Sequence, residues 1–169
     1  MNRAICYLRE NEEYSRRRQK ITGIIYFDQP KEGGLTKITG FVIGLHPGNH
    51  GFHIHKYGNL TRDFKELGPH FNPQKCNHGG LNSPIRHMGD LGNIFSEDKD
   101  KAVEINMESN IITLIGENSI LGRSVCIKEE PDDEGCTNNP ASKLNGNCST
   151  RICAGVIGLN NNQLYARYS

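Results

Sequence analysis

The chain has 169 residues, with 20 basic and 19 acidic side chains and a formal net charge of +1. This length predicts a single domain over residues 1–169, and the near-neutral charge favours neither a nucleic-acid nor a membrane partner. No apolar run approaches the roughly 18 residues that a membrane span needs. The first residues show no secretory signal, so we expect a cytoplasmic protein with reduced thiols.

Short runs of alternating apolar residues, separated by Gly, Asn or Pro, predict eight β-strands. They are expected near Ala4–Leu8, Ile21–Asp28, Thr36–Leu45, Gly51–Lys56, Ala102–Met107, Ile111–Gly116, Arg123–Lys128 and Ala154–Leu159. Glu108–Asn110 is predicted to be a hairpin turn. Eight short strands indicate an all-β sandwich or barrel. Two polar segments, Tyr57–Lys101 and Glu129–Thr150, are predicted to be long functional loops.

All seven histidines lie between His46 and His87. His53 and His55 are two positions apart on a predicted strand, so both imidazoles point to one face and can reach one ion. Two histidines with this spacing, taken by themselves, are more often solvent-facing residues than metal ligands. The loop that follows, however, adds a second group of candidate ligands. This group is His70, His78, His87 and Asp90.

Three imidazoles and one carboxylate complete a tetrahedral shell for a structural Zn²⁺. Because imidazole suits copper and zinc equally, the ligand types alone do not fix the metals. Cys76, inside the loop, is a less favoured zinc ligand, since the shell is already complete without it. His46 and His50 are interpreted as ordinary loop histidines.

Several motifs, in this order along the chain, resemble the Cu/Zn superoxide dismutase family. They are Ala4–Cys6, Gly23–Phe27, Gly51–Gly58, Gly68–Pro73, His78–Gly80, Arg86–Ile94, Ile120–Ser124, Asp132–Asp133, Gly146–Asn147, Arg151 and Gly155–Gly158. The resemblance covers nearly the whole chain. It implies a Greek-key β-sandwich with a zinc loop and an electrostatic loop, and an enzyme that converts superoxide to O₂ and H₂O₂.

The resemblance also implies a role for each matching residue. Those matching copper ligands are His53, His55 and His70, and those matching zinc ligands are His70, His78, His87 and Asp90. His70 would bridge the two metals, and Asp132 would link ligands of both. Arg151 matches the arginine that attracts the superoxide anion. A homodimer is implied through Tyr57–Gly58, Ile120–Gly122 and Gly155–Leu159, and a copper chaperone is a candidate partner.

The chain departs from the family at the fourth copper ligand, where Lys128 stands in place of histidine. A lysine ammonium has three donors and no lone pair. We therefore expect impaired copper binding, with activity reduced or absent. Three histidines alone, or a deprotonated Lys128, remain open as the copper site. The alternative function is a non-catalytic, zinc-structured homologue that sequesters copper or binds an active dismutase or its chaperone; a metal-free recognition domain is the least favoured alternative.

The family's intrasubunit disulfide is also missing from the sequence. Phe64 and Ala154 occupy its two positions, and strand alternation aims the neighbouring Cys153 at the opposite face. Another bridge among Cys76, Cys136, Cys148 and Cys153 remains open. The basic hairpin at Arg16–Arg18 is interpreted as a solvated tip, with a polyanion-binding patch as the alternative.

Overall fold

The computed structural model describes residues 2–15 and 20–160, and only the backbone of Ser15. Its strands are β1 Asn2–Glu10, β2 Thr22–Gln29, β3 Thr36–Ile43, β4 Gly48–His55, β5 Asp90–Ser96, β6 Val103–Ser109, β7 Ser124–Lys128 and β8 Arg151–Leu159. Two one-turn helices, α1 Glu12–Ser15 and α2 Ser142–Asn145, and a 3-10 turn at Lys65–Leu67 accompany them. The basic segment Arg16–Arg18 lies outside the described residues.

The eight strands form one antiparallel sheet in the order β5-β4-β7-β8-β1-β2-β3-β6. Edge strands β5 and β6 approach each other, so the sheet curls into a nearly closed barrel. Because β3 pairs with β6 and β4 with β7, the connections cross the barrel ends as in a Greek key. The predicted eight-stranded all-β fold is confirmed.

Alternating side chains fill the barrel. Ala4, Cys6 and Leu8 of β1 are buried while Tyr7 between them is exposed, as the period of two predicts for a strand with one solvated face. Their neighbours in the core include Ile25 and Phe27 of β2. This packed interior fixes β4, which carries three of the histidines. Among the described residues, no helix is long and apolar enough to cross a membrane.

The strand predicted at Ile111–Gly116 is wrong, and so is the hairpin turn before it. Ile112 and Leu114 are buried, but their amides are satisfied by side chains instead of a ladder. Ile112 N donates to Ser109 Oγ at 3.2 Å, and Leu114 N donates to Gln29 Oε1 at 2.9 Å. A buried alternating segment therefore closes the barrel without being a strand.

The structure instead has a strand, β5, that was not predicted. Its residues were expected to belong to the long loop Tyr57–Lys101. Its sequence contains Gly92 and Asn93, which disfavour strands. Leu91 and Ile94 are both buried although they lie three positions apart, so the strand shows no clean alternation. The first loop consequently ends where β5 begins, at Asp90, and it is shorter than predicted.

All six cysteines are free thiols. Phe64 and Ala154, at the positions of the family's disulfide, lie in one small apolar cluster with Leu67 and Cys126. Cys153 packs into the main core instead, as the alternation of β8 predicts. An apolar contact therefore stands where the family has a covalent bond.

We expect alkylation by iodoacetamide at pH 8 to distinguish these thiols sharply. Cys136 is exposed and should react in the native protein. Burial raises the pKa of Cys6 and of Cys148 to about 12 and holds the pKa of Cys153 well above its usual value. Because the thiolate is the nucleophile, these three should react only after unfolding. Peptide mass spectrometry with and without guanidinium checks this, and native labelling of Cys153 would contradict the core assignment.

Candidate metal centre

Two histidine clusters adjoin each other beside β4. The ring nitrogens of His53, His55 and His70 lie within 4.8 Å of one another, as do ligand atoms of His70, His78, His87 and Asp90. His70 belongs to both clusters. All members are buried, and the structure thus brings together every histidine and the aspartate that the sequence analysis assigned to metals.

Strand geometry supplies the first cluster. His53 and His55 lie on β4, where a register shift against β5 between Gly51 and His53 marks a bulge, a device that re-aims side chains near functional sites. His70 joins them through an isolated bridge with His55. The rings of His53 and His70 are stacked with centroids 4.0 Å apart.

Hydrogen bonds fix the tautomers of two rings in this cluster. His53 Nε2 donates to Asp132 Oδ2 at 2.6 Å, and His55 Nδ1 donates to the carbonyl oxygen of Gly68 at 2.8 Å. The opposite nitrogens, His53 Nδ1 and His55 Nε2, are buried without a partner, as is His70 Nε2. Such orphaned nitrogens are costly unless a ligand takes their lone pairs, so these three rings fit a cation that prefers imidazole.

Burial lowers the pKa of His53, His55 and His70, and the charge of Lys128 lowers it further in each case. Desolvation disfavours the imidazolium form. The rings are therefore neutral at pH 7, which is the form that can bind a metal ion.

The second cluster surrounds the carboxylate of Asp90 at the start of β5. His70 Nδ1 lies 2.9 Å from Asp90 Oδ1, His78 Nδ1 lies 2.9 Å from Oδ2, and His87 Nδ1 lies 3.2 Å from Oδ1. The Nδ1 atoms of His78 and His87 nevertheless make no hydrogen bond of acceptable geometry. Three imidazoles and one carboxylate converging in this way fit a tetrahedral zinc shell.

The electrostatics of this cluster favour a bound cation. The pKa of Asp90 is held well below its usual range, against the effect of burial, by the close approach of the imidazoles of His70, His78 and His87. Burial lowers the pKa of His78, but Asp132 and Asp90 outweigh it and raise the pKa to about 9. Without a metal, a proton on His78 supplies part of the positive charge that the two carboxylates require.

Asp132 links the two clusters. Its two carboxylate oxygens accept from His53 Nε2 at 2.6 Å and from His78 Nε2 at 2.8 Å. The backbone of Asp132 is held by Asn93, whose amide accepts from Asp132 N at 2.7 Å and donates to Asp132 O at 2.9 Å. The position of Asp132 therefore agrees with the linking role expected from the sequence.

Only glycine fits at position 146 beside this carboxylate. Gly146 has φ +69°, and a Cβ there would lie 1.9 Å from Asp132 Oδ1 and 2.7 Å from His78 Nε2. The motif Gly146–Asn147 thus has a steric reason, because the second loop must pass directly against the bridge between the clusters.

Lys128 ends β7 beside the first cluster, with only 2 % of its surface exposed. Its Nζ donates one long hydrogen bond, 3.4 Å, to the carbonyl oxygen of Cys148. The carbonyl oxygen of Lys128 itself lies 2.8 Å from His50 Nδ1. His50 is therefore not the loop histidine that the sequence suggested: it is a buried residue of β4 that fixes the backbone of Lys128.

Arg151 approaches the first cluster from the start of β8. Its guanidinium donates to the carbonyl oxygens of Phe64, of Lys65 at 3.1 Å and of Gly68 at 2.8 Å. The oxygen of Gly68 also accepts from His55, so the arginine and the histidine share one anchor. Arg151, Lys128, His55 and His70 line one cavity of about 280 Å³.

Two cysteines have clear positions relative to the clusters. The Cys76 thiol donates to the carbonyl oxygen of Arg86 at 3.0 Å and belongs to neither histidine cluster. Cys148, which the sequence analysis considered only for disulfides, lies in a third group with His53 and Asp132, whose ligand atoms are within 4.8 Å of one another. No spacing motif signals Cys148, because the loop alone brings it there.

The comparisons with known proteins agree with this geometry. The family described as "Copper/zinc superoxide dismutase (SODC)" matches residues 21–157. Superoxide dismutase [Cu-Zn] 5 of Dictyostelium discoideum is 46% identical over 139 residues, covering 82% of this chain and 91% of the relative. Superoxide dismutase [Cu-Zn] 4 of the same organism is 42% identical over 137 residues, covering 81% and 90%. The chain belongs to the copper/zinc superoxide dismutase family.

Proposed function

We propose that this protein dismutates superoxide to O₂ and H₂O₂ with a complete zinc site and a weakened copper site. The observation that carries the proposal is the set of buried, unpartnered nitrogens on His53, His55, His70, His78 and His87. In this assignment His53, His55 and His70 hold copper, and His70, His78, His87 and Asp90 hold zinc. When bound, copper supplies one-electron redox chemistry and zinc a fixed positive charge.

The residues around the cavity attract the superoxide anion and fix the orientation of the metal-binding rings. Arg151 presents a guanidinium whose orientation is set by three carbonyl oxygens of the loop at Phe64–Gly68. A fixed positive charge in a narrow cavity attracts a small anion and raises its local concentration. Asp132 and Gly68 O hold the rings of His53 and His55 in the tautomers that leave one lone pair free.

Lys128 is the reason to expect weaker copper binding. Its ammonium is buried at the edge of the first cluster, where it offers no lone pair and repels a divalent cation. This observation also supports the second candidate, a non-catalytic homologue that keeps zinc and acts by binding copper, a copper chaperone or an active dismutase.

The deciding experiment measures metal content and dismutation rate on one sample, after loading with zinc and then copper. We expect stoichiometric zinc, partial copper, and a rate that scales with bound copper and exceeds that of free copper. Stoichiometric zinc with an empty copper site and no rate would replace the dismutase proposal by the non-catalytic one.

Replacing Arg151 with alanine should lower the dismutation rate about tenfold at low ionic strength, because the anion loses its fixed positive charge. The rate should also depend less steeply on salt than in the wild type. Pulse radiolysis at several ionic strengths, with copper content measured alongside, tests this. Arg151→Lys serves as the control that keeps the charge and loses the three-carbonyl anchor, and an unchanged rate in Arg151→Ala would remove Arg151 from the proposed mechanism.

We also propose a homodimer in a reducing, cytoplasm-like compartment, in keeping with the six free thiols. The three segments expected at the interface adjoin on one surface: Tyr57–Gly58, Ile120–Gly122 and Gly155–Leu159. Gly122 N donates to Ile157 O at 2.9 Å, and a Cβ on Gly58 would lie 3.2 Å from Val156 Cγ1. Tyr57 beside them is 48% exposed. An exposed apolar patch of this kind favours an interface between subunits.

Sedimentation equilibrium at micromolar concentration should give a dimer for the wild type and a monomer for Val156→Arg, because a charge at the centre of the patch would be desolvated without a partner. Phe41→Arg changes an exposed aromatic residue of β3, which two strands separate from β8, and should leave the dimer intact. A monomeric wild type would contradict the proposed assembly.

A further inference from the structure

The thiol of Cys148 lies at the edge of the first histidine cluster, next to the residue that replaces the fourth imidazole. A Cβ placed on Gly51 would lie 2.8 Å from Cys148 Sγ, 2.9 Å from His53 Cε1 and 3.2 Å from Lys128 Cγ. The sulfur, the histidine ring and the lysine stem therefore surround the same glycine. The absence of a side chain at Gly51 leaves the space in which they meet.

His53 connects this thiol to the unpartnered nitrogens. Its side chain is fully buried, its Nε2 is occupied by Asp132, and its Nδ1 has no partner. The ligand atoms of His53, Asp132 and Cys148 lie within 4.8 Å of one another. His53 thus belongs both to this group and to the cluster with His55 and His70, so a sulfur donor lies beside one of the three imidazoles of that cluster.

On this basis we propose that Cys148 is the fourth copper ligand, which gives the site three imidazoles and one thiolate. The inference rests on the proposed function, since it completes the same copper site. Thiolate is a soft ligand that selects Cu⁺, so this exchange of imidazole for sulfur shifts the preference of the site from Cu²⁺ towards Cu⁺. Binding forms one copper–sulfur bond and releases the thiol proton to solvent, with no change in oxidation state.

The surroundings of Cys148 suit this role. In the absence of metal its Sγ donates to the carbonyl oxygen of Asn145 at 3.2 Å, a bond that the side chain gives up when sulfur turns to the ion. A bound metal ion deprotonates a coordinating thiol outright. The ammonium of Lys128, tied to the carbonyl oxygen of Cys148 at 3.4 Å, then offsets the negative charge of the thiolate. Lys128 and Cys148 would thus act together in one site.

The test uses the full chain, loaded with zinc and titrated with Cu⁺ under anaerobic conditions against a Cu⁺ chelator of known affinity. X-ray absorption at the copper edge should show one sulfur together with nitrogen ligands in the wild type. In Cys148→Ala the sulfur should disappear and the Cu⁺ affinity should fall about tenfold or more. Cys153→Ala, which removes a buried thiol packed in the main core, is the matched control and should keep both the sulfur signal and the affinity.

A copper shell without sulfur in the wild type would overturn the inference, and this result does not depend on whether any variant folds. Wild-type affinity in Cys148→Ala would overturn it as well. The dismutation rate of the same wild-type sample separates the two proposals. Sulfur ligation without dismutation would support Cys148 as a ligand and contradict the proposed dismutase activity. Dismutation with nitrogen ligands alone would support the activity and contradict Cys148 as a ligand.

Discussion

Replacing Lys128 with histidine will raise the affinity of the first cluster for Cu²⁺ about 100-fold or more and will increase the dismutation rate at limiting copper. The change removes a buried ammonium and supplies a lone pair beside the unpartnered nitrogens of His53, His55 and His70. Competition against a Cu²⁺ chelator gives the affinity, and pulse radiolysis gives the rate per chain. Zinc content should not change, because the Lys128 side chain donates its described hydrogen bond to Cys148 O and not to a group around Asp90.

Lys128→Leu separates the two effects that histidine combines. It removes the charge without adding a ligand, so it should recover only part of the gain in affinity. Equal affinities for the leucine and histidine variants would mean that repulsion by the ammonium is the whole defect. An unchanged Cu²⁺ affinity in Lys128→His would show that Lys128 does not limit copper binding.

The fold and the pairing of His53 with His55 could be predicted because they depend on short-range patterns, and the loop cluster around Asp90 could be predicted because its residue types make up a zinc shell. A spacing of two residues on a strand places His53 and His55 on one face. The alternation of apolar residues in β1 and β2 likewise predicts these strands without information about the strands that pair with them. The failures arose where side chains replace backbone pairing. Ile111–Gly116 alternates like a strand, but Ser109 and Gln29 satisfy its amides. Nothing local reveals that.

The roles of His50 and Cys148 could not be predicted for a related reason. His50 looks like a loop residue until β4 is seen to begin at Gly48, and its ring reaches Lys128 from 78 positions away. Cys148 belongs to a loop whose path depends on Gly146 passing against Asp132. The contacts of a loop depend on the whole fold. The side chains of a strand that point to the core, by contrast, can be predicted from the sequence of that strand alone.

Replacing Phe64 with alanine will destabilise the protein by about 3–5 kcal/mol and lower Tm by about 10 °C. Phe64 is buried against Leu67, Cys126 and Ala154, where the family has a disulfide. Its side chain also maintains a strained segment, since Arg62, Asp63 and Phe64 all have φ between 52° and 66°. Residues held in this region cost about 1–3 kcal/mol each and persist only when packing enforces them. Thermal unfolding monitored by circular dichroism measures the loss.

The same variant should also lower the dismutation rate, because Arg151 donates to the carbonyl oxygen of Phe64. Phe64→Leu keeps most of the apolar volume and should retain most of both properties. Reductant should not change the Tm of the wild type, since all six cysteines are already free, but it should lower that of a Phe64→Cys, Ala154→Cys double variant that has formed the bridge. A loss below about 1 kcal/mol in Phe64→Ala would mean that the loop beside Arg151 is held by something other than this apolar cluster.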